Sequence, residues 1–316
     1  MIEVNGLCKS FRVSQKEPGL KGSLKGIFSR KWLEKTALDQ VSLKVGAGEI
    51  LGLVGANGAG KTTLVKILSG IVHPSSGSVS VMGFVPWERD NEFRRQVSLI
   101  MGQKAQLWWD LPAEDGFLLL KEIYQLSEAK FRQAHDYLVE TLGVQDQLKT
   151  QLRRLSLGER MKMELIAALL HSPRVVFLDE PTIGLDLTAQ KAIREFILQY
   201  RREHRPAMIL TSHYMDDIEK LCERIVILRD GGVVYDGAIH ALTDSGPRQK
   251  VLEFEFEENH LDCSKLAIEI GDQASILSCE KEKLKLRVTR EKVSEVAAKV
   301  MARFQVRDLV VTEPDL

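Results

Sequence analysis

The stretch Ile50–Gly70, ILGLVGANGAGKTTLVKILSG, decides the fold. ILGLV is almost wholly apolar and short, as a buried strand is. GANGAGKT (Gly55–Thr62) then matches G-x-x-x-x-G-K-[ST] without a mismatch, and TTLVKILSG continues as a helix. Strand, glycine-rich loop and helix together form the context that this motif requires. Its glycines let the backbone curl so that successive N–H groups face a phosphate, and the helix N-terminus adds its positive end. Lys61 can reach the β- and γ-phosphates of a nucleotide, and the Thr62 hydroxyl can hold Mg²⁺.

Outward from this core, strands and helices alternate. Strand-like runs lie at Ile2–Val4, Val41–Val45, Ile50–Val54, Val97–Met101, Val175–Leu178, Ala207–Thr211, Ile225–Arg229 and Val233–Tyr235. Helices are expected at Thr62–Ser69, Ala113–Tyr124, Lys130–Leu142, Arg160–His171, Ala189–Arg202 and Met215–Cys222. Strands as apolar as RVVFLDE fit a sheet covered on both faces. The first domain, residues 1–246, is therefore α/β with a parallel core.

Composition changes after GPRQK (246–250), where VLEFEF alternates apolar and acidic residues. A helix near Leu261–Ile268, strands near Ser275–Cys279 and Leu284–Val288, a helix Glu291–Phe304 and a strand Asp308–Thr312 complete a β-α-β-β-α-β order. That is the split βαβ arrangement, and residues 247–316 read as a small α+β, ferredoxin-like domain.

Lys+Arg and Asp+Glu balance at 44 each, so net charge gives no sign of a nucleic-acid partner. No apolar run approaches the roughly 20 residues of a membrane span. Met1–Gly6 runs directly into strand-like sequence, so no signal peptide is expected. Cys8, Cys222, Cys263 and Cys279 are scattered without CxxC spacing, which fits reduced thiols in the cytosol.

A second chemical signal is VVFLDEP (Val175–Pro181), an apolar strand ending in two carboxylates. Asp179 is placed to hold Mg²⁺ beside a phosphate loop, and Glu180 to polarise an attacking water. Capping acids at a strand exit would look the same in isolation.

With these motifs in place, the chain resembles the ATP-binding subunits of ATP-binding cassette (ABC) transporters. The resemblance rests on further features, in order. These are Phe11, Gln103 in IMGQK, LSLGE (Leu155–Glu159), GLD (Gly184–Asp186) and His213 in LTSHY. Taken singly, Phe11 fits a core aromatic, Gln103 a surface amide and His213 a helix cap; their order and spacing decide otherwise. The resemblance spans residues 1–235 and implies an ABC ATPase domain with an antiparallel N-terminal sheet and a helical insert at about 104–160. It implies that Phe11 stacks on adenine and that Gly55, Ala56, Asn57, Gly58, Ala59, Gly60, Lys61, Thr62 and Thr63 hold ATP. Thr62, Gln103 and Asp179 would serve Mg²⁺, and Glu180, Gln103 and His213 catalysis. It further implies that Ser156, Gly158, Glu159 and Asp186 complete the ATP site of a second subunit, in a head-to-tail homodimer. The nearer likeness is to drug- and ion-export subunits of the daunorubicin-resistance type. That likeness implies a peripheral protein at the cytoplasmic face of the membrane, bound to an integral membrane subunit, with no nucleic-acid partner.

The signature departs twice from the family's commonest LSGGQ. Leu157 replaces a glycine, so an ordinary negative φ is expected there. Glu159 replaces glutamine, and a carboxylate turned on phosphate would repel it, so Glu159 is expected to face the ribose or solvent.

Two segments stay open. Residues 14–35 carry six basic and two acidic side chains. Leu20, Leu24, Ile27, Phe28 and Trp32 fall there at helical spacing, which fits a basic amphipathic helix or a long hairpin loop. Trp108 and Trp109 fit either a membrane-subunit contact or packing within the insert. The rival class is a soluble ABC-type ATPase acting on DNA or ribosomes. This chain lacks the long coiled coil of the repair enzymes and the second cassette of the ribosomal type. A non-catalytic regulator is disfavoured by intact Lys61, Asp179, Glu180 and His213.

Overall fold

The computed structural model describes residues 1–14, 32–102, 104–244, 249–256, 274–280 and 283–312. It divides into two compact units, Met1–Ile239 and His240–Leu316. In chain order the first unit holds β1 (Ile2–Ser14), β2 (Trp32–Val45), β3 (Ile50–Val54), α1 (Lys61–Leu68), β4 (Ser76–Val81), α2 (Asn91–Gln96) and β5 (Val97–Met101). Then come α3 (Ala113–Ile123), α4 (Glu128–Leu142), α5 (Leu157–Leu169), β6 (Val175–Asp179), α6 (Leu187–His204), β7 (Ala207–Thr211), α7 (Met215–Leu221), β8 (Arg224–Arg229) and β9 (Gly232–Ala238).

Two sheets build this unit. The larger runs β5-β6-β7-β3-β8-β9, parallel except for β9, and the smaller is antiparallel, β2-β1-β4. The apolar runs that named the strands are the reason for the core. Ile2, Val4 and Leu43 of the small sheet pack in one buried cluster with Leu51, Phe177 and Ile209 of the large one. Leu64, Val65, Ile67 and Leu68 of α1 belong to the same cluster. Register then aligns the strand ends: Leu53 pairs with Thr211, and Thr211 with Asp179. The loop after β3 and the ends of β6 and β7 thus meet at the carboxyl edge, where open α/β sheets bind ligands.

The second unit follows α8 (Ile239–Asp244) with β10 (Gln249–Phe256), β11 (Ala274–Cys279), β12 (Lys283–Thr289), α9 (Val293–Met301) and β13 (Val306–Thr312). Its sheet order is β11-β12-β10-β13 with every neighbour antiparallel, the ferredoxin-like arrangement. Alternation along β10 explains its two faces. Leu252, Phe254 and Phe256 are buried against α9 residues Val296 and Val300. Glu253 and Glu255 turn the other way and pair with Lys285 and Lys283.

Several boundaries differ from the sequence expectations. The first strand extends to Ser14 and the second begins at Trp32, and the two pair along their whole length, Ser14 opposite Trp32. Trp32 therefore lies in a strand, not in an amphipathic helix; residues 15–31 lie outside the described residues. Strand β4 and helix α2 were not expected: SGSVSV is too rich in serine and glycine, and NEFRRQ too short, to show a period. The helix expected at Arg160 starts three residues earlier, at Leu157, because Ser156 caps it. The helix expected near Leu261–Ile268 lies outside the described residues. Cys8 and Cys222 are free thiols, but Cys279 is disulfide-bonded, against the expectation that every thiol is reduced.

Candidate active site

The loop Gly55–Gly60 joins the buried end of β3 to α1. Gly60 carries the sharp turn at φ 111°, and a Cβ there would lie 2.5 Å from Ala37 O, so only glycine fits. Lys61 is buried and donates from Nζ to Gly55 O (2.6 Å) and Ala56 O (3.2 Å), closing the loop over itself. The helix starts of α2, α4, α5 and α6 are capped by the side chains of Asp90, Ser127, Ser156 and Asp186. The start of α1, like those of α3 and α7, has no side-chain cap. Its first-turn amides, those of Lys61, Thr62 and Thr63, are donors without an intrahelical acceptor, backed by the helix dipole. A phosphate fits that place.

Beside the loop, Thr62 Oγ1 lies 3.5 Å from Asp179 Oδ1. The same carboxylate oxygen accepts a 2.6 Å hydrogen bond from Thr211 Oγ1. A hydroxyl and a carboxylate facing one point are the hard oxygen donors that Mg²⁺ prefers. Thr211 was not singled out from sequence, although it orients Asp179. Its only signal was its place at the end of an apolar strand.

Glu180 follows Asp179 with φ 58°, an unusual conformation for a non-glycine residue. Its N–H donates to Thr211 O at 3.0 Å and lies 3.1 Å from Thr211 Oγ1, which holds the turn in place. The turned side chain puts Oε1 2.8 Å from His213 Nε2. Gly102 backs directly onto this turn: its N–H donates to Asp179 O at 2.9 Å, and a Cβ on it would come within 2.0 Å of Glu180 O. Gln103, the next residue, lies outside the described residues.

Phe11 is partly exposed on β1, with Lys9 Nζ 4.9 Å from its ring centroid. Lys9 pairs with Leu38 of β2, next to the Ala37 carbonyl that Gly60 approaches. Phe11 pairs with Lys35, two residues along β2 from Ala37.

Ser156, Gly158 and Glu159 form a separate cluster at the start of α5. Ser156 and Glu159 make a full capping box. Glu159 Oε2 accepts from Ser156 N (2.9 Å) and Ser156 Oγ (2.8 Å), and Glu159 N donates to Ser156 Oγ (3.2 Å). The backbone N–H and then the hydroxyl of Ser156 hold the Glu159 carboxyl below its ordinary range. Leu157 has no positive φ, as expected. Glu159 was expected to face ribose or solvent. Its carboxylate stays at the surface and folds back onto Ser156, where two donors lie one helical turn away. Asp186 caps α6, accepting from Ala189 N at 2.8 Å.

Glu164, also missed from sequence, sits buried on α5 and accepts from the amides of Gln106 (2.9 Å) and Leu107 (3.2 Å). Burial raises its pKa above the ordinary value. It ties the helix that begins at the signature to the segment that follows Gln103. Trp109, in that segment, lies 5.0 Å from the Arg160 guanidinium and remains exposed, as does Trp108.

The profile of the family described as "ABC transporter" matches residues 38–183, and that described as "EvrA-like ABC transporter, C-terminal domain" matches residues 248–312. The ABC transporter ATP-binding protein NatA of Bacillus subtilis is 31% identical over 221 residues, 69% of this chain and 89% of that one. The chain belongs to the ATP-binding subunits of ABC transporters. Its relatives include the doxorubicin resistance ATP-binding protein DrrA of Mycobacterium tuberculosis, 32% identical over 65% of this chain and 62% of that one. A solved ATP-binding subunit of an ABC transporter superimposes with a TM-score of 0.63 at 25% identity, covering 77% of this chain and 92% of that one. The dimeric post-hydrolysis cassette MJ0796, bound to ADP and phosphate, superimposes with a TM-score of 0.62 at 21% identity, covering 76% and 99%. Both likenesses agree on the fold. As an ABC ATPase, the chain binds ATP with Mg²⁺ and hydrolyses it to ADP and phosphate. The alternative of a soluble ATPase acting on DNA or ribosomes gains no support from these relatives.

Proposed function

We propose that this chain is the motor subunit of an exporter and works as a twofold, head-to-tail homodimer. The observation that carries the reading is the convergence at one sheet edge. There the uncapped start of α1, the Thr62–Asp179 pair and the Glu180–His213 contact adjoin one another. Amides of the Gly55–Thr62 loop and of Thr63, with Lys61, hold the triphosphate, and Phe11 meets the adenine. Thr62 and Asp179, with Gln103 as the resemblance implies, would hold Mg²⁺, which would neutralise phosphate charge. Glu180 accepts the proton of the attacking water, and His213 keeps the carboxylate at its post.

Ser156 and Gly158 lie in a different element from the phosphate loop. A second copy, related by a twofold axis, brings its own α5 start to this nucleotide, and Asp186 stands at the same face. The relatives include a dimeric cassette and subunits named for drug resistance and for Nod factor export. Those names support both the dimer and the direction of transport.

No helix among the described residues is long and apolar enough to cross a membrane. The transporter-subunit relatives support a separate integral membrane subunit through which the transported molecule passes, with this chain attached at its cytoplasmic face. The exposed Trp108 and Trp109 supply the apolar contact for that attachment. The second domain, residues 247–316, regulates or steadies the dimer.

The test is hydrolysis by the purified chain, with Lys61→Ala and Glu180→Gln as comparisons. Loss of nucleotide affinity in Lys61→Ala, and loss of turnover with binding retained in Glu180→Gln, support the reading. Normal ATP binding by Lys61→Ala, measured by calorimetry, overturns it.

A further inference from the structure

One fully buried carboxylate lies behind the hydrolytic residues and touches none of them. Asp217, on α7, has no exposure to solvent. Its Oδ1 accepts from Arg194 Nη1 of α6 at 2.8 Å. Its Oδ2 accepts from Ser212 Oγ at 2.7 Å, and also from Thr182 Oγ1. Arg194, Ser212 and Thr182 are themselves buried. Ser212 Oγ in turn accepts from Tyr214 N at 3.0 Å, which tightens the turn around His213.

The three donors are not arbitrary neighbours. Ser212 immediately precedes His213. Thr182 lies two residues beyond Glu180. Arg194 belongs to the helix that Asp186 caps. One carboxylate therefore grips the loop that carries His213, the loop that carries Glu180 and the helix that starts at Asp186. Between the first two loops runs the 2.8 Å contact of His213 Nε2 with Glu180 Oε1. Glu180 stands there in a strained conformation, φ 58°, which persists only where the surroundings over-determine it.

Stability alone is a poor reason for this arrangement. Burying a charged pair costs desolvation, and apolar residues of similar volume often serve a core equally well. What a buried, fully bonded carboxylate supplies is fixed direction and distance.

We propose that Asp217 is a positioning residue for ATP hydrolysis. By bridging the Thr182 and Ser212 hydroxyls, with Arg194 as counter-ion, it sets the spacing of Glu180 and His213. It acts on neither ATP nor water directly. The proposal rests on the catalytic roles given above to Glu180 and His213.

The experiment compares Thr182→Val, Ser212→Ala and Asp217→Asn in the full chain, under single-turnover conditions and with ATP affinity measured separately. The first two variants each remove one hydroxyl and leave the Asp217–Arg194 pair in place, so they report even if Asp217→Asn does not fold. A misplacement of the order of 1 Å can cost about 100-fold in rate, so a fall of about tenfold or more is expected in the chemical step of each. ATP affinity of the two hydroxyl variants stays near that of the parent, while the melting temperature falls by a few degrees, because a buried hydrogen bond to a carboxylate is lost. In a His213→Ala background, Thr182→Val lowers the rate no further, because both act through one contact.

Parent-like rates in both hydroxyl variants overturn the proposal, as does a Thr182→Val loss that multiplies independently with that of His213→Ala. So does a loss of ATP affinity that tracks a fall in melting temperature, which marks a purely structural role. Glu180→Gln in the same assay separates the two levels. If it hydrolyses normally, the underlying catalytic assignment has failed. If it is inactive while the hydroxyl variants are normal, only the role of Asp217 has failed.

Discussion

His213 Nε2 stands 2.8 Å from Glu180 Oε1, across the ends of two neighbouring parallel strands. The contact joins a carboxylate able to take a proton to a group that fixes its direction. Replacing Glu180 by glutamine keeps the shape and removes the base. Turnover at saturating ATP should fall by about 10²–10⁴-fold, the usual contribution of a positioned general base. Phosphate release measures it, and nucleotide binding by the same sample should persist. A rate near that of the parent would remove Glu180 from its role.

The Ser156–Glu159 capping box gives a second prediction. Ser156→Ala removes a cap and should cost about 1 kcal/mol of stability in denaturant unfolding. The Glu159 pKa is lowered, so its share of the stability is present above the ordinary carboxylate pKa and is lost as pH falls through the folded value. Glu159→Gln keeps hydrogen bonds at the cap and removes that acid-side loss. It also removes a negative charge beside the Ser156 hydroxyl proposed to meet the partner's ATP. The ATP concentration for half-maximal hydrolysis should therefore fall. A rise would show that Glu159 favours nucleotide in this signature.

His171 offers a pH test. Its ring stacks on Tyr124 with centroids 3.9 Å apart, Nε2 lies 3.3 Å from Val97 O, and burial pushes its pKa down to about 4 from an ordinary value of 6.5. An unfolded chain thus takes up a proton between those values that the folded chain refuses. The stabilising difference is full above pH 6.5 and is lost as pH falls towards 4. His171→Phe keeps an aromatic ring against Tyr124 and should flatten stability over that range, relative to the parent. Parallel stability curves for the two proteins would contradict this.

Much of this site could be read from sequence because its chemistry is local. GANGAGKT needs only its flanking strand and helix, and Asp179–Glu180 only the strand before it. What escaped depends on contacts between distant segments. Thr211 orients Asp179 from 32 residues away, and Arg194 reaches Asp217 from 23. Glu164 holds amides 57 and 58 residues away. Single residues of this kind leave no period. The start of α5 was misplaced for another reason. Ser156 fits an N-cap and Glu159 a first helical turn, and their capping-box spacing puts the start at Leu157. The long β1–β2 ribbon was truncated because its outer parts are polar, with register shifts between Val4 and Ser10 that break the alternation.

In the proposed homodimer, each chain carries two incomplete halves of an ATP site, the loop at Gly55–Thr62 and the cluster at Ser156–Gly158. The most direct measurement is the molar mass of Glu180→Gln in solution, by light scattering, with and without ATP and Mg²⁺. A monomer mass is expected without nucleotide and a doubled mass with it, with the shift abolished by adding Lys61→Ala. A mass unchanged by ATP in Glu180→Gln, in a sample shown to bind ATP, would contradict the shared site.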